Sequence, residues 1–127
     1  MYEHQISVLL ERIGSNVCYM GYGYCLTGLE HMLILRNQHF RPTKDIYPVI
    51  AREHHTTISN VERNIRTMIN SCWYDGNREL IQRICHRKYK PSNGAFLAGL
   101  YAQLYRQITL AEEAERQAAA TATSVEK

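Results

Sequence analysis

The stretch from about residue 59 to 74 has apolar residues at the spacing of an α-helix. With about 100° per residue, its side chains divide into two opposite faces. The apolar face consists of Val61, Ile65, Met68, Ile69 and Cys72. The polar face consists of Ser59, Arg63, Arg66 and Asn70, with Glu62 and Thr67 on its flanks. The pattern predicts a helix with one side in a core and the other able to form hydrogen bonds.

A shorter helix is predicted just before it, from Lys44 to about His54, burying Ile46, Val49 and Ile50. Thr43 is a candidate N-cap, and Pro48 lies in the first turns, where its missing N–H costs little. The polar turn 54–57 joins the two helices. A short helix, a tight turn and a longer helix form the layout of a helix-turn-helix, whose second helix enters the DNA major groove.

The remaining apolar pattern predicts four more helices and no strand. They cover roughly Glu3 to Ile13, Gly21–Tyr24 to Arg36, Asn77 to His86, and Ser92 or Asn93 to Leu110. Their expected core residues are Ile6, Val8, Leu9, Leu10, Ile13, Leu26, Leu29, Leu33, Ile34, Leu80, Ile81, Ile84, Phe96, Leu97, Leu100, Leu104 and Ile108. We expect an all-α protein, a compact bundle of about six helices over residues 1–110. Residues 111–127 are expected to form an Ala/Glu-rich fraying helix and flexible tail, and residues 37–43 a loop.

The polar face of the long helix has the chemistry that base reading requires. An arginine can donate two parallel hydrogen bonds to the O6 and N7 atoms of guanine, and a glutamate can accept from cytosine N4. Ser59 and Glu62 have the spacing of a capping box, and Thr57 is a competing N-cap. Either choice leaves backbone N–H groups at the helix end that can bind a phosphate. The alternative is that Arg63 and Arg66 are ordinary solvated residues.

Charge is unevenly distributed along the chain. Residues 41–90 hold ten Lys and Arg against five Asp and Glu, whereas the whole chain has a net charge of +3. The excess therefore falls in and just after the helix-turn-helix. This distribution suits a surface that binds phosphate.

Several other functions lack support in the sequence. The four cysteines have no C-x-x-C spacing and are expected to be reduced core residues, and the six histidines form no metal-ligand pattern. We find no catalytic or nucleotide-binding motif, secretory signal or membrane-spanning run. The expectation is a cytoplasmic protein that is not an enzyme and has no metal or cofactor.

Three segments carry a resemblance to a known family. They are YMGYGYCL (19–26), DIYPVIAREHHTTISNVERNIRTMINSCWYDGN (45–77) and KPSNGAFLAGL (90–100). The chain resembles the C-terminal DNA-binding effector domain of the stage-zero sporulation master regulator, the response regulator that starts endospore formation. The likeness covers roughly residues 3–108, and its most specific part is TTISNVERNIR followed by a Trp and a Gly-Asn.

The resemblance implies a domain that binds a short promoter box, TGTCGAA, often as a homodimer or head-to-tail pair on double-stranded DNA. It also implies base reading by Glu62, Arg63 and Arg66, which all match the family's pattern. Asn60 is a departure, because relatives often have a basic residue there, so one charge contact is lost. We expect phosphate contacts from Thr56, Thr57, Ser59, Arg87, Lys88 and Lys90.

The family's full-length regulators also carry an N-terminal receiver domain, for which this chain has no room. It is therefore expected to be a free-standing effector domain or a piece of a longer protein. One alternative function stays open: a non-DNA-binding interaction module that pairs with a full-length relative and titrates it. Retention of Glu62, Arg63 and Arg66 argues against that alternative, since such a module has no physical need for them.

Overall fold

The protein folds into a bundle of helices. The structure, a computed structural model, describes residues 1–36, 39 and 41–125, and this part contains six α-helices and no strand. The helices are α1 (Glu3–Arg12), α2 (Met20–Leu35), α3 (Tyr47–Glu53), α4 (Ile58–Asp75), α5 (Arg78–Cys85) and α6 (Asn93–Val125). A π-helical turn (Pro42–Ile46) leads directly into α3. The predicted all-α fold is confirmed.

Helix α2 packs against α1, α3, α4 and α6, so that it lies in the middle of the bundle. The core around it is formed largely by branched aliphatic side chains and one phenylalanine. Its largest fully buried members are Ile6, Leu10, Ile13, Leu29, Leu33, Ile46, Ile50, Ile65, Met68, Ile69, Ile81 and Phe96. All five residues of the predicted apolar face of α4 are buried. Burial of this face fixes which side of α4 points outward.

Two close contacts hold α4 against α2. Gly21 lies so near α4 that a Cβ at this position would be 2.6 Å from the carbonyl oxygen of Asn64. Two residues earlier, the hydroxyls of Tyr19 and Ser71 are hydrogen-bonded at 2.6 Å. A glycine at the crossing lets the two backbones approach, and the hydrogen bond between Tyr19 and Ser71 links the start of α2 to α4. The orientation of α4 is therefore defined from within the core.

Some details differ from the sequence expectations. Val8 and Ile34 are exposed and Leu26 is half-buried. Leu29 and Leu33 are buried as predicted, and the buried side of α2 also contains residues that the pattern did not single out: Gly21, Tyr22, Tyr24, Cys25, Gly28 and Met32. Thr43 does not cap α3, because the chain is already in the π-helical turn there; Pro48 does lie at the start of α3. Part of the predicted loop 37–43 lies outside the described residues.

Helix α6 continues well past the core. Its five predicted core residues are buried, whereas nearly all side chains described beyond Thr109 are exposed. Glu112 is an exception, because it forms an ion pair with Arg36 at the end of α2, and Arg36 also donates to the hydroxyl of Tyr2 at 3.2 Å. The hydrogen bonds that Arg36 donates to Glu112 hold the pKa of Glu112 below its ordinary value. The fraying expected after residue 110 stays a prediction.

Candidate nucleic-acid interface

Helices α3 and α4 and the turn between them form the expected helix-turn-helix. His55 takes a left-handed conformation (φ 51°) in the turn, which is uncommon for a residue other than glycine. Thr57 is the N-cap of α4, because its hydroxyl accepts a hydrogen bond from the backbone N–H of Asn60 at 3.1 Å. Of the two caps left open by the sequence, the structure has Thr57. Ser59 lies exposed within the first turn.

The three predicted base-reading residues are brought together on the outward side of α4. Glu62 and Arg66, one turn apart, form an ion pair while their side chains remain 46% and 55% exposed. Arg63 is exposed and donates to the Oδ1 atom of Asn60 at 2.7 Å. Two guanidinium groups and one carboxylate are therefore accessible on one helix face. This set can donate to guanine and accept from cytosine.

Asn60 connects this face to the rest of the fold. Its Nδ2 atom donates to the hydroxyl of Tyr24 on α2 at 3.1 Å and to the hydroxyl of Thr56 in the turn at 2.9 Å. Its Oδ1 atom accepts from Asn64 at 3.0 Å as well as from Arg63. The predicted phosphate-contact residue Thr56 is therefore half-buried and engaged with α4.

The start of α6 flanks the same face. Asn93 donates its side-chain N–H to the carbonyl oxygen of Glu62 at 2.9 Å, and Lys90 donates to Asn70 at 2.6 Å. The ammonium group of Lys90 also lies 5.5 Å from the ring centre of Tyr74. A groove of about 420 Å³ runs between α4 and the segment from Lys90 to Asn93. Lys90 thus places a positive charge at the edge of the proposed reading face.

The other two basic residues of the loop, Arg87 and Lys88, are exposed and tied to α5 rather than to α4. The backbone N–H of Arg87 donates to the carbonyl oxygen of Gln82 at 3.1 Å, and the side chain of Gln82 donates to the carbonyl oxygen of Lys88 at 2.8 Å. These bonds fix the loop backbone and leave both cationic side chains at the surface.

Sequence reasoning missed the polar residues that support the face. Asn64 was not singled out, Asn93 was considered only as a possible start of the last helix, and Asn60 was noted only for the charge that it lacks. The spacing of Asn60 and Asn64, four residues apart, was the available signal, because such residues meet on one side of a helix. The partner Tyr24 is distant in sequence and gave no such signal.

The cysteines have no reactive arrangement in the described part of the chain. All four are free, and Cys25 and Cys72 are buried as expected, but Cys18 is exposed and Cys85 half-buried. Burial raises the pKa of Cys72 and that of Cys85 to about 11 each, so both thiols stay protonated near neutral pH. Over residues 1–36, 39 and 41–125 no three His, Cys, Asp or Glu side chains are grouped closely enough to hold a metal ion.

The model of the family described as "Sporulation initiation factor Spo0A C terminal" matches residues 6–104 of the 127. The chain belongs to this family. It is a sporulation-type effector domain of the DNA-binding, transcription-regulating class, and the matched region contains α4 and all of the proposed contact residues. No helix in the described ranges is both long and apolar enough to cross a membrane.

Proposed function

We propose that this protein is a sequence-specific DNA-binding transcriptional regulator that places α4 in the major groove. Glu62, Arg63 and Arg66 contact base edges in this proposal. Phosphates are contacted by Thr56, Thr57, Ser59, Arg87, Lys88 and Lys90. The protein would act in the cytoplasm on promoter DNA, and two copies would bind adjacent boxes head to tail.

The observation that carries the proposal is the exposed polar face of a helix whose other face is in the core. Because α4 is held by α2 and by the start of α6, its two arginines and one glutamate are presented on a rigid element. An α-helix of this kind fits the width of the major groove of B-DNA. Family membership supplies the second, independent support.

Fluorescence-anisotropy titrations with labelled duplexes test the proposal. One duplex carries TGTCGAA and the other a scrambled order of the same bases, both at physiological salt. The wild type should prefer the box, and the double variant Arg63→Ala/Arg66→Ala should lose that preference. The matched control, Arg106→Ala/Arg116→Ala, removes the same charge from exposed positions of α6. This variant should keep the preference for the box.

Equal and weak binding of the wild type to both duplexes would contradict the proposal. The interaction-module alternative would then be tested by mixing the protein with a full-length relative and measuring complex formation. For the pairing of two copies, a duplex with two boxes in tandem should bind two copies cooperatively, each more tightly than a single-box duplex binds one.

A further inference from the structure

Asn60 lies where three parts of the fold meet. Its carboxamide contacts the turn through Thr56, α2 through Tyr24, and the outer face of α4 through Arg63 and Asn64. A guanidinium group can only donate, so the carboxamide atom that faces Arg63 must be the oxygen. The nitrogen consequently faces the two hydroxyls. Both N–H groups and both lone pairs of this carboxamide are therefore used.

A fully bonded carboxamide is poorly suited to reading a base. To form the bidentate pair that asparagine makes with adenine, Asn60 would have to give up hydrogen bonds to Tyr24, Thr56 and Arg63. Its contribution is instead to fix its neighbours. Arg63 uses one N–H of its fork on Asn60, and the rest of the fork stays available for a guanine edge.

The anchor on the other side of Asn60 is buried and well packed. Tyr24 is 2% exposed, and its ring packs edge-on against His54 at 5.0 Å between ring centres. His54 is in turn hydrogen-bonded to the hydroxyl of Thr27 at 2.7 Å. Hydrogen bonds through Asn60 and Tyr24 thus link the side chain of Arg63 to α2.

Among the residues that the structure describes, Arg66 has no such link to the core. Its partner is Glu62 on the same exposed face, and both side chains are about half exposed. The two arginines of α4 therefore differ in kind: Arg63 is held from the core, whereas Arg66 is held by another surface side chain.

We propose that Asn60 is a positioning residue that orients Arg63 and so sets the preference for the base that Arg63 reads. This inference rests on the proposed function. Without Asn60, Arg63 would have to be ordered at the moment of binding. The entropy of ordering one long side chain corresponds to a loss of about 3- to 10-fold in affinity.

A double-mutant cycle tests the inference. Asn60→Ala, Arg63→Ala and the combined variant are titrated against the TGTCGAA duplex and against duplexes changed at each guanine in turn. Asn60→Ala should lower discrimination at the guanine read by Arg63 by about 3- to 10-fold. In the Arg63→Ala background, the same substitution should have little further effect.

Two further variants make the test specific. Tyr24→Phe keeps the packed ring and removes only the hydroxyl that accepts from Asn60. Like Asn60→Ala, it should lower discrimination at the guanine read by Arg63. It replaces Asn60→Ala in the test if that variant does not fold. Asn70→Ala removes another asparagine of α4, one whose oxygen accepts from Lys90, and its effect should add to that of Arg63→Ala. Circular dichroism establishes that each variant is folded.

The outcomes separate this inference from the proposed function. If the wild type prefers the box but Asn60→Ala weakens all duplexes alike, or adds fully to Arg63→Ala, Asn60 does not act through Arg63 and the inference is wrong. A wild type with no preference for the box overturns the proposed function and the inference with it.

Discussion

The two faces of α4 differ in almost every physical respect. The inner face, formed by Val61, Ile65, Met68, Ile69 and Cys72, is buried against the bundle. The outer face presents arginines and a glutamate that hydrogen-bond mainly to other residues of the same helix. Stability and the proposed DNA recognition thus depend on residues only one or two positions apart. A substitution on one face should change one property and spare the other.

The largest effect is expected on the inner face. Ile65→Ala should lower the free energy of unfolding by about 2–5 kcal/mol, because it removes buried methyl groups and leaves a cavity. Among molecules that remain folded, the ratio of affinities for the box and the scrambled duplex should be unchanged. Urea denaturation and anisotropy on the same samples measure both. Thr67→Ala, on the outer face, is the control and should change stability by less than about 0.5 kcal/mol.

On the outer face, Arg63→Ala should weaken binding and leave stability nearly unchanged. We expect a loss of about 1–3 kcal/mol in binding, confined to one guanine position, as for removal of a bidentate contact. The free energy of unfolding should change by less than about 0.5 kcal/mol, since Arg63 is exposed. Titration against a set of single-base variants of the box measures the first, and urea denaturation the second. Equal losses on every duplex would show that Arg63 does not read a base.

Thr57 caps α4 and is also a proposed phosphate contact, so its substitution should change both stability and binding. Thr57→Ala should lower the free energy of unfolding by about 0.5–2 kcal/mol, because the cap of α4 is lost. It should also weaken binding to all duplexes alike if Thr57 contacts a phosphate, as proposed. Ser59→Ala is the matched variant for the cap. If Ser59→Ala proves the more destabilising of the two, the capping assignment is wrong.

The smallest effect is expected at the basic loop. Lys88→Ala should weaken specific and random duplexes equally and reduce the slope of log affinity against log salt by about one unit. The measurement is a titration at four or five salt concentrations. Arg106→Ala removes one positive charge from α6 and should leave the slope nearly unchanged. A sequence-dependent effect of Lys88→Ala would move this residue from the phosphate group to the base-reading group.

Periodicity predicted α4 well because its pattern is strong and local. The expected range, about 59–74, differs from Ile58–Asp75 by one residue at each end, and all five inner residues are buried. The buried side of α2 was harder to predict. This helix is apolar on most sides, and its core face depends on two glycines that allow other helices to approach, which no local pattern reveals. The π-helical turn at Pro42–Ile46 was not predicted either. Its sequence, PTKDI, also suits the start of an ordinary α-helix.

The candidate site likewise has features that follow from the local sequence pattern and features that depend on helix packing. Which side chains face outward on α4 follows from the helical repeat, and the family resemblance then selected Glu62, Arg63 and Arg66 among them as the expected base-reading residues. The partners of those side chains could not. The contact of Asn60 with Tyr24 joins residues 36 positions apart, and that of Asn93 with Glu62 joins residues 31 apart. Such contacts exist only once the helices have packed.

The central claim is that Arg63 on the outer face of α4 reads a guanine in the major groove. The most direct measurement replaces each guanine of the TGTCGAA duplex in turn with 7-deazaguanine, which lacks the N7 acceptor but pairs normally. At one position the wild type should lose about tenfold in affinity, and Arg63→Ala should be insensitive to that same replacement. The claim would be contradicted if the wild type tolerated 7-deazaguanine at every position but lost binding when inosine replaced guanine. Inosine lacks the amino group that guanine presents in the minor groove.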